Sequence, residues 1–419
     1  NVQLGSASVL DAAELISIFR SETPTKDLVV AISHDDYGVS TGGVQNIIGD
    51  ECEEFRRRGI NYLHLCPARP KMQLSEDRHG AEFFFAARLN GQALGRISGA
   101  ALERVIVEFK RLSTQITWVI HHVMGHSPEL LKRLILTWRT TTPLFWTHDY
   151  FAACTGYTLM RNTLEYCGAP EPESSACRVC VYGTARKMHR ERVADLIFSI
   201  SPKIVSPSQR ALELWERATG FSGLPTHVAT PANLVLNKKT IPHRQRQHSP
   251  LRIAHLGAPV FHKGWASFEK LAAALKNDSR YRFFQLGSNA NLPSSITHVD
   301  ALVKPGQRAA MIDAIVVNRI DVVVSWSLWP ETFCFTAHEA IAAGAFLDHR
   351  RNQGHVDAAA AEYAAQAARE IEDEGELFSY FQSGKILTDV SNATLRVGAL
   401  LPAVGSAEIS LLNVPKNLN

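Results

Sequence analysis

The sequence lacks any apolar run approaching the roughly 18 residues a membrane-spanning helix needs, which excludes an integral membrane protein. A marked charge of either sign is also absent. With 44 Lys plus Arg against 41 Asp plus Glu, the formal net charge is +3, too small an excess to mark nucleic acid as a partner. Cysteine is sparse: seven in 419 residues, an odd count that argues against a disulfide-built scaffold. Asn1–Ser8 carries neither the basic flank nor the apolar core of a secretory leader, and the chain opens without Met. It reads as a trimmed start, and the expected setting is a reducing cytoplasm. There is no internal repeat and no low-complexity tract.

What is present is the composition of a globular protein, 45% hydrophobic and 20% charged. The length suits two or three domains and buries roughly three quarters of the surface the unfolded chain exposes.

Periodicity then divides the chain. Leu28–Ser33 reads as a buried strand, His34–Gly43 as a loop and Val44–Arg58 as an amphipathic helix, with Gly59 as its stop and Asn61–Leu65 as the next strand. Strands are also predicted at Trp118–His122, Pro143–Thr147 and Lys203–Val205, with helices at Ser127–Leu136 and Gln209–Thr219. Asn237–Arg252 holds two Pro, several basic residues and no acid, and reads as a linker. Beyond it the alternation restarts. Strands are expected at Arg252–Leu256, Tyr281–Leu286 and Asp321–Ser325, and helices at Gly264–Lys276, Gly306–Asn318, Thr332–Ala343 and Ala358–Glu374. The expected architecture is α/β with two doubly wound, Rossmann-like domains and a crevice between them. The first spans 1–236 with a Cys-rich insertion near 154–180, the linker 237–251, the second domain 252–390, and a tail 391–419 returns to the first.

Ligands of open parallel sheets bind beyond the carboxyl ends of the strands, where each main candidate below is placed. In Pro330–Gly344, PETFCFTAHEAIAAG, Glu331 and Glu339 stand eight positions apart, on the order of 12 Å along a helix axis. The backbone N–H groups of Thr332, Phe333, Cys334 and Phe335 would face an anion, aided by the helix dipole. An isolated pair of this kind is more often a helix-start charge and a solvated face. Here Glu339 lies in an otherwise apolar stretch, where an unpaired carboxylate is costly without a partner.

These residues, with others in the same order, resemble the retaining glycosyltransferases of the GT-B fold, family four, whose bacterial members build polysaccharide and lipopolysaccharide. The elements are Lys263-Gly264 in GAPVFHKGW, Gly42-Gly43 in STGGVQ, the Pro-Ser pair in IVSPSQ, and His148-Asp149 in FWTHDY, beside the E-x7-E pair itself. The resemblance implies transfer of a hexose from a nucleotide-diphospho-sugar to a glycan or lipid-linked acceptor. Lys263 would neutralise the diphosphate, Glu331 would contact the hexose, Glu339 would accept from the ribose hydroxyls, and His148 would touch the transferred sugar. Gly42 and Gly43 admit close backbone approach, and Gly287 after its strand joins the donor set. The family often places an Arg shortly before this Lys. Here Gly257 is followed by Ala258, with only His262 as a basic neighbour. No catalytic metal or other cofactor is implied. A phosphorylase or hydrolase on the same scaffold, or a glycan-binding protein with a vestigial cleft, are the competing readings.

Four further features stand outside that set. His121, His122 and His126 span a strand end and the breakers Gly125 and Pro128, so a shared metal is disfavoured. Gly91, Gly95 and Gly99 have the wrong spacing for a dinucleotide loop and read as breakers. Cys154, Cys167, Cys177 and Cys180 end in a C-x2-C pair within a loop of little core, and are candidate ligands of a structural zinc, with disulfides or unligated thiols as alternatives. The triplet Arg56, Arg57, Arg58 is either a solvated helix end or a patch for an anionic membrane at the inner face of the cell.

Overall fold

The computed structural model describes residues 9–22, 27–112, 115–242, 250–288, 292–304 and 306–411. The chain divides into two compact units. One comprises Asn1–Asn162, Cys167–Pro231 and Val404–Asn419, the other Thr163–Tyr166 and Ala232–Ala403.

The strands of the first stretch are β1 (Val9–Leu10), β2 (Leu28–Ile32), β3 (Asn61–Pro67), β4 (Phe84–Leu89), β5 (Gln92–Ser98), β6 (Ile116–Ile120), β7 (Leu144–Trp146), the short β8 (Met160–Arg161) and β9 (Glu165–Tyr166), β10 (Lys203–Ser206) and β11 (Thr226–Val228). The first unit's sheet runs β1-β5-β4-β3-β2-β6-β7-β10-β11. It is parallel from β3 to β11, whereas β4 is antiparallel to both of its neighbours. LVVAI of β2 and ITWVI of β6 are buried at every position, as expected where helices cover both sheet faces. Asn90 and Gly91, both at positive φ (50° and 90°), turn β4 into β5. Gly95 lies inside β5 and Gly99 opens the next helix, so of the three glycines only Gly91 sits between elements. Ser127 and Ser208 cap their helices by accepting from Leu130 and Ala211 N–H.

The second unit adds β12 (Ala232–Pro242), β13 (Leu251–Leu256), β14 (Tyr281–Gly287), β15 (Ile296–Asp300), β16 (Val322–Ser325), β17 (Phe346–Arg350), β18 (Ala368–Ile371) and β19 (Thr394–Pro402). Its parallel sheet runs β15-β14-β13-β16-β17-β18, the doubly wound order in which the chain reverses direction between its first and fourth strands. Beside it, β12 and β19 form an antiparallel ribbon. Asn237–Pro242, expected as linker, therefore continues a strand, and residues 243–249 of that stretch lie outside the described residues.

Ala358–Glu374 is not one helix. A helix spans His355–Tyr363, β18 pairs alongside β17, and a new helix over Glu374–Gln382 takes Asp373 as its cap, with Gly375 inside it. The Ala- and Glu-rich composition favours helix locally, and parallel pairing overrides that preference. At the chain's end, Gly405–Leu411 is helical, while residues 412–419 lie outside the described residues. Ala407 and Ile409 enter the first unit's core with Val29, Ile48 and Phe55, and the indole Nε1 of Trp146 donates to Ser406 Oγ across 2.7 Å. Among the described residues no helix is long and apolar enough to cross a membrane.

Candidate functional site

In the second unit the connections after β13 and β16 leave the sheet side by side, because those strands are neighbours with opposite windings. The loop after β13 starts at Gly257 (φ 87°) and ends in a short 3-10 turn, Phe261–Lys263, before Gly264 (φ 78°). A Cβ at Gly264 would overlap the carbonyl of Trp326, so only glycine lets the two loops touch. Backbone bonding ties them further, since Leu328 N–H donates to His262 O at 2.9 Å.

This contact brings Lys263 to Glu331. The ammonium Nζ donates to Glu331 Oε1 across 2.6 Å, and the Ser327 hydroxyl lies 2.7 Å from the same oxygen. Trp329 lies under the ammonium, 5.7 Å from ring centroid to nitrogen. Glu331 is buried, and its main chain is fixed by Gln353 and His355 through a single parallel bridge. Gln353 in turn bonds Ser325 by both ends of its amide. Burial, and then the nearby ammonium of Lys263, hold His262 below the usual imidazole range.

The helix that follows Glu331 starts at Phe335 and runs to Ala342. Thr332, Phe333 and Cys334 thus belong to the preceding loop, and the amides at the helix start are those from Phe335 onward. The helical spacing assumed between Glu331 and Glu339 does not apply across that loop. Cys334 occupies the cap position, and burial followed by the Glu331 charge pushes its thiol up to about 11. Phe333 stacks on His338 and His355, at 4.5 and 4.9 Å between centroids. Thr336 at the helix start lies over Gly257, and Gly257 in turn abuts Gly287, where a Cβ would stand 2.6 Å from the Gly257 carbonyl. The structure therefore gathers Lys263, Gly287, Glu331 and the helix start at one end of one sheet.

Glu339 faces inward from that helix and is 3% exposed. Burial raises its carboxyl pKa to about 7, with the Arg308 charge acting against the rise. No hydrogen bond reaches that carboxyl among the described residues. Arg308 also lies over the Phe335 ring at 5.6 Å.

The remaining candidates belong to the first unit. Gly42 precedes the Gly43–Arg57 helix, and a Cβ on it would stand 2.5 Å from the Gln45 side-chain oxygen. The loops after β2, β6 and β7 carry a cluster of histidines. His121 Nε2 meets Glu51 Oε2 at 2.9 Å, and its Nδ1 meets His148 Nε2 at 3.0 Å. A carboxylate only accepts, so His121 carries a proton on Nε2, and in the neutral ring Nδ1 is then the acceptor. His148 must then donate from Nε2, which leaves its Nδ1 as an acceptor. Burial, with His121 next, holds the His148 imidazole well below its ordinary range. Its ring is sandwiched between His121 and Trp146, at 5.3 and 5.0 Å.

Asp149 pairs with His122 Nε2 at 2.8 Å, not with His148. Burial pushes its carboxyl up, but His122 and the Phe151 amide outweigh that and leave it below the usual range. His126 Nε2 lies 2.7 Å from Ser33 O. His121, His122 and His126 thus have three separate partners and no common point. Glu51 escaped the sequence reading, although it lies on the apolar stripe formed by Ile47, Ile48, Cys52 and Phe55. A carboxylate on such a stripe was the available signal. Ser327, Gln353 and Arg308 left no local signal, because contacts distant in sequence define their roles.

Of the other features, Arg57 and Arg58 both pair with Glu54, at 2.8 and 2.5 Å. Cys154, Cys167, Cys177 and Cys180 are free cysteines lining one small cavity.

No protein-family model and no curated protein matches the sequence. Solved structures do. Sucrose-phosphate synthase from Thermosynechococcus elongatus superposes with a TM-score of 0.53 at 14% identity, over 88% of this chain and 91% of that one. WaaG, a glycosyltransferase involved in lipopolysaccharide biosynthesis, gives 0.52 at 12% identity, over 87% and 92%. The trehalose-6-phosphate synthase OtsA gives 0.51 at 9% identity, over 87% and 93%. Likeness at this level of identity speaks for the architecture, and the chain has the GT-B fold with two Rossmann-like units.

Proposed function

We propose that the protein is a retaining glycosyltransferase that moves a hexose from a nucleotide-diphospho-sugar to a glycan or lipid-linked saccharide. The observation that carries this reading is the Lys263–Glu331 pair at the winding reversal of the second sheet, next to a helix start. A departing nucleoside diphosphate gathers negative charge as the C1–O bond breaks, and an ammonium fixed beside oriented backbone amides stabilises it. Glu331 holds that ammonium in place and offers its second oxygen to a sugar hydroxyl. Glu339 presents an inward carboxyl suited to the ribose diol. His148 is assigned to the transferred sugar on the family resemblance alone.

Retention follows from displacement on one face of the sugar. The acceptor oxygen bonds to C1 as the diphosphate leaves, and its proton passes to a diphosphate oxygen. No resident metal is needed for this step. A lipid-linked acceptor would bring the protein to the inner face of the cell membrane, although the Glu54 pairs lessen the pull of Arg57 and Arg58 on an anionic surface.

The test is a panel of UDP-, GDP- and dTDP-hexoses, followed by thermal protection and by release of nucleoside diphosphate with a glycan acceptor. Protection by one nucleotide class and transfer with an unchanged anomeric configuration are expected. Absence of both protection and release overturns the reading, and an inverted product overturns its stereochemistry.

A further inference from the structure

We propose that Cys154, Cys167, Cys177 and Cys180 bind one zinc ion as four thiolate ligands, a site independent of the transferase reading. The four residues come from three separate stretches, yet all line one cavity of about 20 Å³. That space is enough for one water-sized occupant, the size class of a single ion. Cys167 lies within electrostatic reach of Cys154, Cys177 and Cys180.

Burial disfavours charge on the Cys154 and Cys167 sulfurs, and a set of polar contacts acts against that penalty. The Gly156 amide donates to the Cys154 sulfur, and the Ala169 amide to that of Cys167, each from two residues further along the chain. Gly168 and Ala169, at φ 69° and 54°, form the left-handed turn that aims the second amide backwards. The Arg186 guanidinium places Nη1 2.9 Å from Cys177 Sγ, from within the protein. Its Nε reaches Ala153 O at 3.2 Å, so one buried cation joins the first and third Cys stretches. Four thiols binding a divalent ion release four protons and leave a net charge of −2 on the site, which this cation offsets in part.

The stretch also needs an organising element. Its regular structure is slight, with the four-residue Ser175–Arg178 helix the longest element between β7 and the helix at Gly183. A Cβ at Gly183 would overlap the Cys177 carbonyl, so the Cys177 turn is packed against the next helix as tightly as backbone allows. Among the described residues no three His, Cys, Asp or Glu side chains stand ready to hold an ion, so the site closes only when the thiols turn inward. The cavity between them gives that room.

The full-length protein, purified without added metal and passed through gel filtration, is expected to carry one zinc per chain by elemental analysis. After chelation and addition of Co²⁺, it should show the visible ligand-field bands and near-ultraviolet sulfur charge transfer of a tetrahedral thiolate site. Arg186→Ala should weaken zinc retention roughly tenfold or more, as loss of an outer-shell partner does. Three results would each overturn the proposal: wild-type protein with no bound zinc, a Co²⁺ spectrum of octahedral oxygen ligation, or an intact mass short by four hydrogens from two disulfides. Because the spectrum is read on the wild type, folding of the variant does not decide the outcome.

Discussion

Lys263 and Glu331 lie 68 positions apart in sequence and meet across 2.6 Å, with the carboxylate inside and the ammonium partly in solvent. The pair serves two ends. It neutralises a buried charge in the free protein and holds a cation at the loop crossing where a diphosphate is proposed to bind. Lys263→Ala should therefore lower kcat/KM roughly 10²–10³-fold and also cost about 1–3 kcal/mol of stability, since the carboxylate is left unpaired. Adding Glu331→Gln should restore most of the lost stability and none of the activity. Initial rates and denaturant melts on the same two variants check this.

Glu339 is raised in the folded protein to about 7, above its unfolded value, so the native state holds a proton that the unfolded state has lost. Stability should then fall as pH rises from the unfolded pKa toward 7 and level off above it, by on the order of 3 kcal/mol in all. Glu339→Gln should remove that slope. If the carboxyl accepts from ribose, nucleotide affinity should rise with pH through the same window. Melts and titration calorimetry at several pH values report both signs.

Gly264→Ala introduces a Cβ against the Trp326 carbonyl at a φ of 78°, where side chains are strained. The two loops must separate, so Lys263 should lose Glu331 as its partner. A fall in melting temperature equivalent to about 2–4 kcal/mol is expected, together with loss of transfer.

With His121 a neutral ring, the chain from Glu51 through His121 sets which nitrogen of His148 carries the proton. Glu51→Gln can present its amide N–H and reverse both rings. Nitrogen-15 spectra should show His148 protonated at Nε2 in the wild type and at Nδ1 in the variant. Turnover should drop roughly 10–10²-fold with little change in donor KM. An unchanged tautomer would remove Glu51 from this positioning role.

Much of this was legible in the residues. The uninterrupted runs LVVAI and WVI announce strands covered on both faces, and Ser127 and Ser208 announce helix starts. Lys263, Glu331 and Glu339 are visible as charges in stretches that otherwise avoid them. The Asn90–Gly91 turn was equally available and signals the β4–β5 hairpin by its two left-handed positions. β18 was not legible, because AREI reads as helix until β17 offers it a partner. The helix start at Phe335 was hidden as well. Nothing in TFCF reveals that Gln353 and His355 hold the backbone of Glu331 extended.

The packing of Ala407 and Ile409 beside Val29 and Phe55 bears on how the chain matures. During synthesis the first unit emerges nearly whole, yet a piece of its interior is translated only after the entire second unit. Until then Trp146 lacks its hydrogen-bond partner Ser406 and apolar surface stays open to water. A nascent chain released at residue 403 should bind chaperones and a hydrophobic dye, and addition of the missing helix as a peptide should quench both.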